Sequence, residues 1–102
     1  MDKEVTAAIT AENQFTDWIR PKDAHYDDVE NGHFLNISIA GTWSGTVTLQ
    51  RRFSTSDTAR DVEEFTGNAE ESLFDHESTV EYRLGIKTGD YTSGTCNARL
   101  GA

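Results

Sequence analysis

Cysteine is almost missing from this chain: Cys96 is the one thiol among 102 residues. No internal disulfide can form, and no cysteine-based zinc site can be assembled. No stretch of 18 apolar residues occurs, and MDKEVTAAITAEN at the start has neither a basic region nor an apolar run of signal-peptide length. A soluble chain made in the cytoplasm, without a membrane partner, is expected. Basic residues are scarce, 9 Lys and Arg against 18 Asp and Glu, for a formal net charge of -9. The average field therefore repels nucleic acid as it repels anionic membranes.

The motifs of catalysis are also absent. Ser, His and Asp all occur, but no nucleophile elbow, paired Cys and His, or glycine-rich phosphate loop surrounds them. Neither an enzyme nor a cofactor is expected. His25 with Asp27, Asp28 and Glu30, and His76 between Asp75 and Glu77, bring together oxygen ligands of the kind calcium takes. They lack the Asp-x-Asp-x-Asp-Gly spacing of an EF-hand, so no metal site is assigned. Asn36-Ile37-Ser38 matches the N-glycosylation triplet but falls inside a strand pattern and is read as strand.

What the chain does have is alternation. Leu35, Ile37 and Ile39 are apolar while Asn36 and Ser38 are polar, the period of a strand with one buried face. After Gly41-Thr42-Trp43-Ser44-Gly45 the same parity resumes in Val47, Leu49 and Phe53, against Thr46, Thr48, Gln50 and Arg52. The two runs are expected to pair as a β-hairpin with the glycine-bounded break as its turn. Arg51 falls on the inward parity and is placed at the sheet rim, where its stem can lie on apolar surface. Trp43 continues the inward parity, which favours packing over the end of the core; an exposed aromatic contact is the alternative.

STSDTAR is a polar connection, and DVEEFT a short strand whose irregular Val62 to Phe65 spacing suggests a bulge or an edge. Between Asp61 and Glu77 there are seven acids and no Lys or Arg, the pattern of a solvated face. Val80, Tyr82, Leu84 and Ile86 alternate with Glu81, Arg83 and Lys87, and TGDYTSG turns the chain toward a last strand carrying Cys96, Ala98 and Leu100 on one side. A second hairpin is expected there, with Cys96 as a small buried hydrophobe.

In the first 31 residues Val5, Ala7 and Ile9 alternate as in a strand, whereas Phe15, Trp18 and Ile19 are spaced as on a helix that Thr10 could cap. Strands are favoured, because the rest of the chain is β and so short a helix is marginal alone. RPKDAHYDDVENG, with the only proline, is a loop.

Together these features predict an all-β fold, a single antiparallel β-sandwich over residues 1–102, Ig-like or jelly-roll-like, with an extended N-terminal segment of strand, arm and loop over 1–31. Its expected core is Leu35, Ile37, Ile39, Trp43, Val47, Leu49, Phe53, Val80, Tyr82, Leu84, Ile86, Cys96, Ala98 and Leu100. Phe15, Trp18, Ile19 and Arg20 are the candidate contacts for a partner.

At SIAGTWSGTVTLQRRFS and again at VEYRLGIKTGDYTSGTCNARLG the chain resembles the small all-β virion proteins of tailed bacteriophages, over Gly32 to Gly101. In them a strand ending Gly-Thr-aromatic-x-Gly leads to a Thr-Val-x-Leu-x-Arg-Ser-Phe type strand. A Tyr-Arg-x-Gly strand then leads through a polar turn to a closing strand. The Phe-Asp-Gly-Gly-x-Thr-Trp step of such proteins is FSTSDTARDV here, without glycines or tryptophan, so no sugar-binding role is carried over from it. The resemblance implies a virion part assembled in the host cytoplasm, foremost a capsid decoration (cement) protein that binds the outer capsid shell through loops and the N-terminal segment. Its partner would be the major capsid protein or another virion protein, bound as a homo-oligomer or in a lattice-dependent assembly. A tail or fibre component, or a carbohydrate-binding adhesion module, is the alternative.

Overall fold

The alternation beginning at His33 builds a strand longer than the glycines within it suggest. The computed structural model describes residues 3–21, 33–77 and 79–102. Eight strands follow one another: β1 (Glu4–Ile9), β2 (Gln14–Phe15), β3 (His33–Gly45), β4 (Val47–Arg52), β5 (Arg60–Phe65), β6 (Ala69–Asp75), β7 (Glu81–Ile86) and β8 (Tyr91–Gly101). β3 runs unbroken through Gly-Thr-Trp-Ser-Gly, with Trp43 opposite Gly94 of β8.

The strands form two four-stranded antiparallel sheets, in the orders β1-β8-β3-β6 and β2-β7-β4-β5. β1 pairs with β8, β2 with β7, β3 with β6 and β4 with β5, as in one long hairpin folded from its ends inward. That hairpin is rolled so that β8 also meets β3 and β7 meets β4. The result is the strand order of a jelly roll. Of the two sandwich types the sequence leaves open, the topology is this one and not the immunoglobulin arrangement.

Both expected hairpins are corrected by this order. β3 and β4 lie in different sheets, and so do β7 and β8. Period two reports which face is buried, and an inward face looks the same whether the next strand lies beside it or in the opposing sheet. The chain changes sheet at Gly45, whose φ of 143° is open to glycine and whose missing Cβ would lie 2.4 Å from the Asp90 carbonyl oxygen. The acidic run, expected as a solvated face, is divided between two outer strands, with Asp61, Glu63 and Glu64 in β5 and Glu70, Glu71 and Asp75 in β6, a strand not expected from the sequence. β5 is the outer strand of the other sheet, with a register shift against Leu49 and Gln50, in keeping with the irregular Val62 spacing.

The N-terminal segment is part of the sandwich. β1 pairs with β8 from Glu4 opposite Gly101 to Ile9 opposite Cys96, so residues 4–9 are an integral strand and not a free arm. Ile19 exchanges backbone hydrogen bonds with Tyr82 at 2.8 and 2.9 Å and is 2% exposed. As a candidate partner contact it is corrected to a core residue. The helical spacing of Phe15, Trp18 and Ile19 comes from an irregular stretch after β2 that turns Ile19 inward.

Between the sheets lie Leu35, Ile37, Ile39, Val47, Leu49, Val80, Tyr82, Leu84, Ile86, Cys96, Ala98 and Leu100, all buried, joined by Ile9, Ile19 and Phe65. Trp43 and Phe53 are partly buried and pack against this cluster. Among the described residues no helix is long and apolar enough to cross a membrane. His25, Asp27, Asp28 and Glu30, and with them most of the expected loop, lie outside the described residues.

Candidate interaction surfaces

Strand alternation divides the remaining chemistry between two outer faces and one polar cluster inside. In the sheet β2-β7-β4-β5, Phe15 lies over Gly85: a Cβ at that glycine would sit 2.3 Å from the Gln14 carbonyl oxygen and 2.4 Å from the Phe15 ring. Next to it the Arg83 guanidinium is 4.0 Å from the Phe15 ring centre and 4.7 Å from that of Trp18. Trp18 also receives the Arg52 guanidinium, at 4.2 Å. Stacking of arginine on aromatic faces is favourable and shields both groups from water.

The arginines are in turn held by hydrogen bonds. Arg83 Nε donates to Gln50 Oε1 at 2.9 Å, Gln50 Nε2 to Asp61 Oδ1 at 2.9 Å, and Lys87 Nζ to Asp61 Oδ2 at 2.7 Å. Arg52 Nε donates to Glu81 Oε1 at 2.8 Å, and Arg20 lies 3.7 Å from the other oxygen of Glu81. Burial, and then the neighbouring Arg52, pull Arg83 below the ordinary arginine value. The Lys87 ammonium, and then the Gln50 amide, hold Asp61 below the usual carboxylate range. Phe15, Trp18 and Arg20 are thus half-buried and occupied within the chain. Beside them an open depression of about 440 Å³ is lined by Lys3, Glu4, Val5, Trp18, Ile19, Arg20 and Glu81.

Trp43 is similarly engaged. Its indole Nε1 donates to Asn68 Oδ1 at 2.8 Å, and Asn68 Nδ2 donates to the Gly41 carbonyl at 3.1 Å, closing the β5–β6 turn over the end of β3.

Inside the sandwich, Tyr82 Oη on β7 donates to Asp75 Oδ2 on β6, and Arg51 Nη1 lies 3.6 Å from the same oxygen. The cluster ties one sheet to the other. Burial, reinforced by the Asp75 carboxylate, pushes the Tyr82 phenol up to about 12. The run Asp75-His76-Glu77 is therefore divided: Asp75 points inward, while the His76 ring stacks edge-on against Phe74 at 5.0 Å. No group of three or more His, Cys, Asp or Glu placed to hold a metal ion occurs among the described residues.

The outer face of β1-β8-β3-β6 is different, because apolar rings there face solvent. Phe34 is 57% exposed and Phe74 39%. They stand opposite each other across β3 and β6, with ring centres 4.9 Å apart and the planes at 61°. Phe34, Phe74 and His76 make one aromatic step at the end of the outer strand. The adjoining open depression, about 300 Å³, is polar and lined by Asn36, Ser38, Glu70, Ser72 and Arg99 among others. Ser38 Oγ donates to Glu70 Oε2 at 2.6 Å, and Arg99 pairs with Glu4.

This aromatic step is absent from the contacts expected from sequence. The signal for it was Phe34, an apolar residue on the parity of Asn36 and Ser38, where a strand with one solvated face should carry a polar side chain. Comparison with protein-family models, curated proteins and solved structures finds no match to the chain. Fold and surface together define a jelly-roll β-sandwich with an exposed aromatic step on one sheet.

Proposed function

We propose that the chain is a structural part of a tailed-phage particle, foremost a capsid decoration protein that binds the outer shell through its surface. The observation carrying this reading is the Phe34–Phe74 pair: two neighbouring phenylalanines held in water by a rigid sheet are a cost to an isolated monomer and a gain to a docked one. The jelly roll is a fold that virus particles use, although it serves lectins and other proteins as well. The resemblance of β3–β4 and β7–β8 to small phage virion proteins supplies the particle, and the exposed step supplies a means of attachment. Negative charge suits a position outside the shell, away from packaged DNA.

A tail or fibre position would use the same surface on a different neighbour. The adhesion reading, which rests on Trp43, Trp18 and the tyrosines, has less support, since both tryptophans are engaged by Arg52, Arg83 and Asn68. Purified chain mixed with expanded, undecorated capsids of the phage carrying its gene is expected to co-sediment and to saturate at a fixed ratio to the major capsid protein. No co-sedimentation with capsids or tails would overturn the reading, and a shift of tryptophan fluorescence on glycan titration would favour adhesion instead.

A further inference from the structure

β6 pairs with β3 along one side and with no described strand along the other. Among the described residues the outer side of this strand is open, and the N–H and C=O groups of such an edge can pair with an extended chain of matching register. Here the edge is bordered by the aromatic step, and its side chains fall in an ordered sequence: Glu70 and Glu71, then Ser72, then Leu73 and Phe74. Leu73 is half-buried on the inner side, and Phe74 is exposed on the outer one. Charge decides which occupant fits. A second copy paired antiparallel about Ser72 would set Glu70 against Phe74 and Glu71 against Leu73, leaving both carboxylates without a cation in a chain whose net charge is already -9, and a parallel copy would set the like charges side by side, which is destabilising.

We infer that β6 with the Phe34–Phe74–His76 step is a docking edge for an extended, cationic segment of a partner protein, added as a fifth strand. Two adjacent Lys or Arg of that segment face Glu70 and Glu71, and two adjacent apolar residues face Leu73 and Phe74. The fit is a pattern of charge and apolarity along one strand, and main-chain pairing holds it in register. The inference rests on the docking reading only for the partner being a virion protein.

The test is an NMR titration of the whole chain with the peptide Thr-Phe-Val-Thr-Lys-Lys-Val, written antiparallel to β6. Saturable shifts are expected, confined to β6 and the adjoining part of β3, and absent when Glu replaces both lysines. Phe74→Ser and Phe34→Ser, which alter exposed rings and should leave the thermal midpoint nearly unchanged, are expected to weaken binding about tenfold or more, a loss of about 1.4 kcal/mol or more. Of two peptides methylated at alternate backbone nitrogens, one along each edge, only the one blocked on its pairing edge should lose binding. Absence of saturable shifts would overturn the inference, as would binding indifferent to both phenylalanine variants or to methylation on either edge. Capsid binding separates this inference from the functional reading. Capsids that take up wild type and Phe74→Ser alike would remove the docking edge and leave the decoration reading, whereas peptide binding without capsid binding would do the reverse.

Discussion

Tyr82 carries a phenol across the sandwich to Asp75, and that single bond ties β7 to β6 in the opposing sheet. Replacing it by Phe leaves Asp75 with one fewer partner beside Arg51, and a urea titration is expected to show a loss of about 1–3 kcal/mol. The phenol also sets an alkaline limit. Its folded value is pushed up to about 12 from an ordinary 10.0, so its contribution is complete below pH 10 and is lost as pH rises through about 12. Tyr82→Phe should therefore show a flatter fall of stability across that window than wild type. A flat wild-type curve there would contradict the burial assigned to the phenol. Cys96 is fully buried and burial pushes its thiol up to about 11; it is expected to react with Ellman's reagent only after denaturant is added. Rapid reaction of the native chain would place it elsewhere.

Among the elements, β2 is the shortest, and its position depends on the absence of a side chain at Gly85. Gly85→Ala drives a methyl group against the Gln14 backbone and the Phe15 ring. The expected cost is about 1–3 kcal/mol, as for other insertions into a filled space. Because Phe15, Arg83 and Trp18 stack together, the emission of Trp18 should move to longer wavelength in the same variant. Unchanged stability and emission would mean that β2 does not pack on β7 as described. The strands themselves were legible where one face is cleanly apolar, as in Leu35 to Ile39 and Val80 to Ile86. Pairing was not legible, because alternation identifies the buried face without naming the neighbour, and Gly45 reads as a turn residue whether it closes a hairpin or lets the chain change sheet. β6 escaped for a local reason: its inward positions alternate Ala69, Glu71, Leu73 and Asp75, while its large ring, Phe74, lies outward. The exposed aromatic step escaped with it. Trp18 looked available from sequence because nothing there reveals that Arg52 and Arg83 converge on it.

At the scale of the whole molecule, the two outer faces have opposite characters. The sheet containing β4 and β7 covers itself with Phe15, Trp18 and a network of arginines, amides and carboxylates, whereas the sheet containing β3 and β6 leaves Phe34 and Phe74 in water. A particle-binding role needs one such open face and a rigid frame behind it, and the jelly roll provides the frame by pairing strands distant in sequence. Attachment through a negatively charged edge should weaken as salt rises, while an attachment resting on the phenylalanines alone should not. The most direct measurement is a cryo-EM difference map between particles assembled with and without the gene. The expected result is sandwich-shaped density at repeated positions on the outer shell, with β6 and the Phe34–Phe74 face toward the shell; identical maps, with no density gained on any part of the particle, would contradict it.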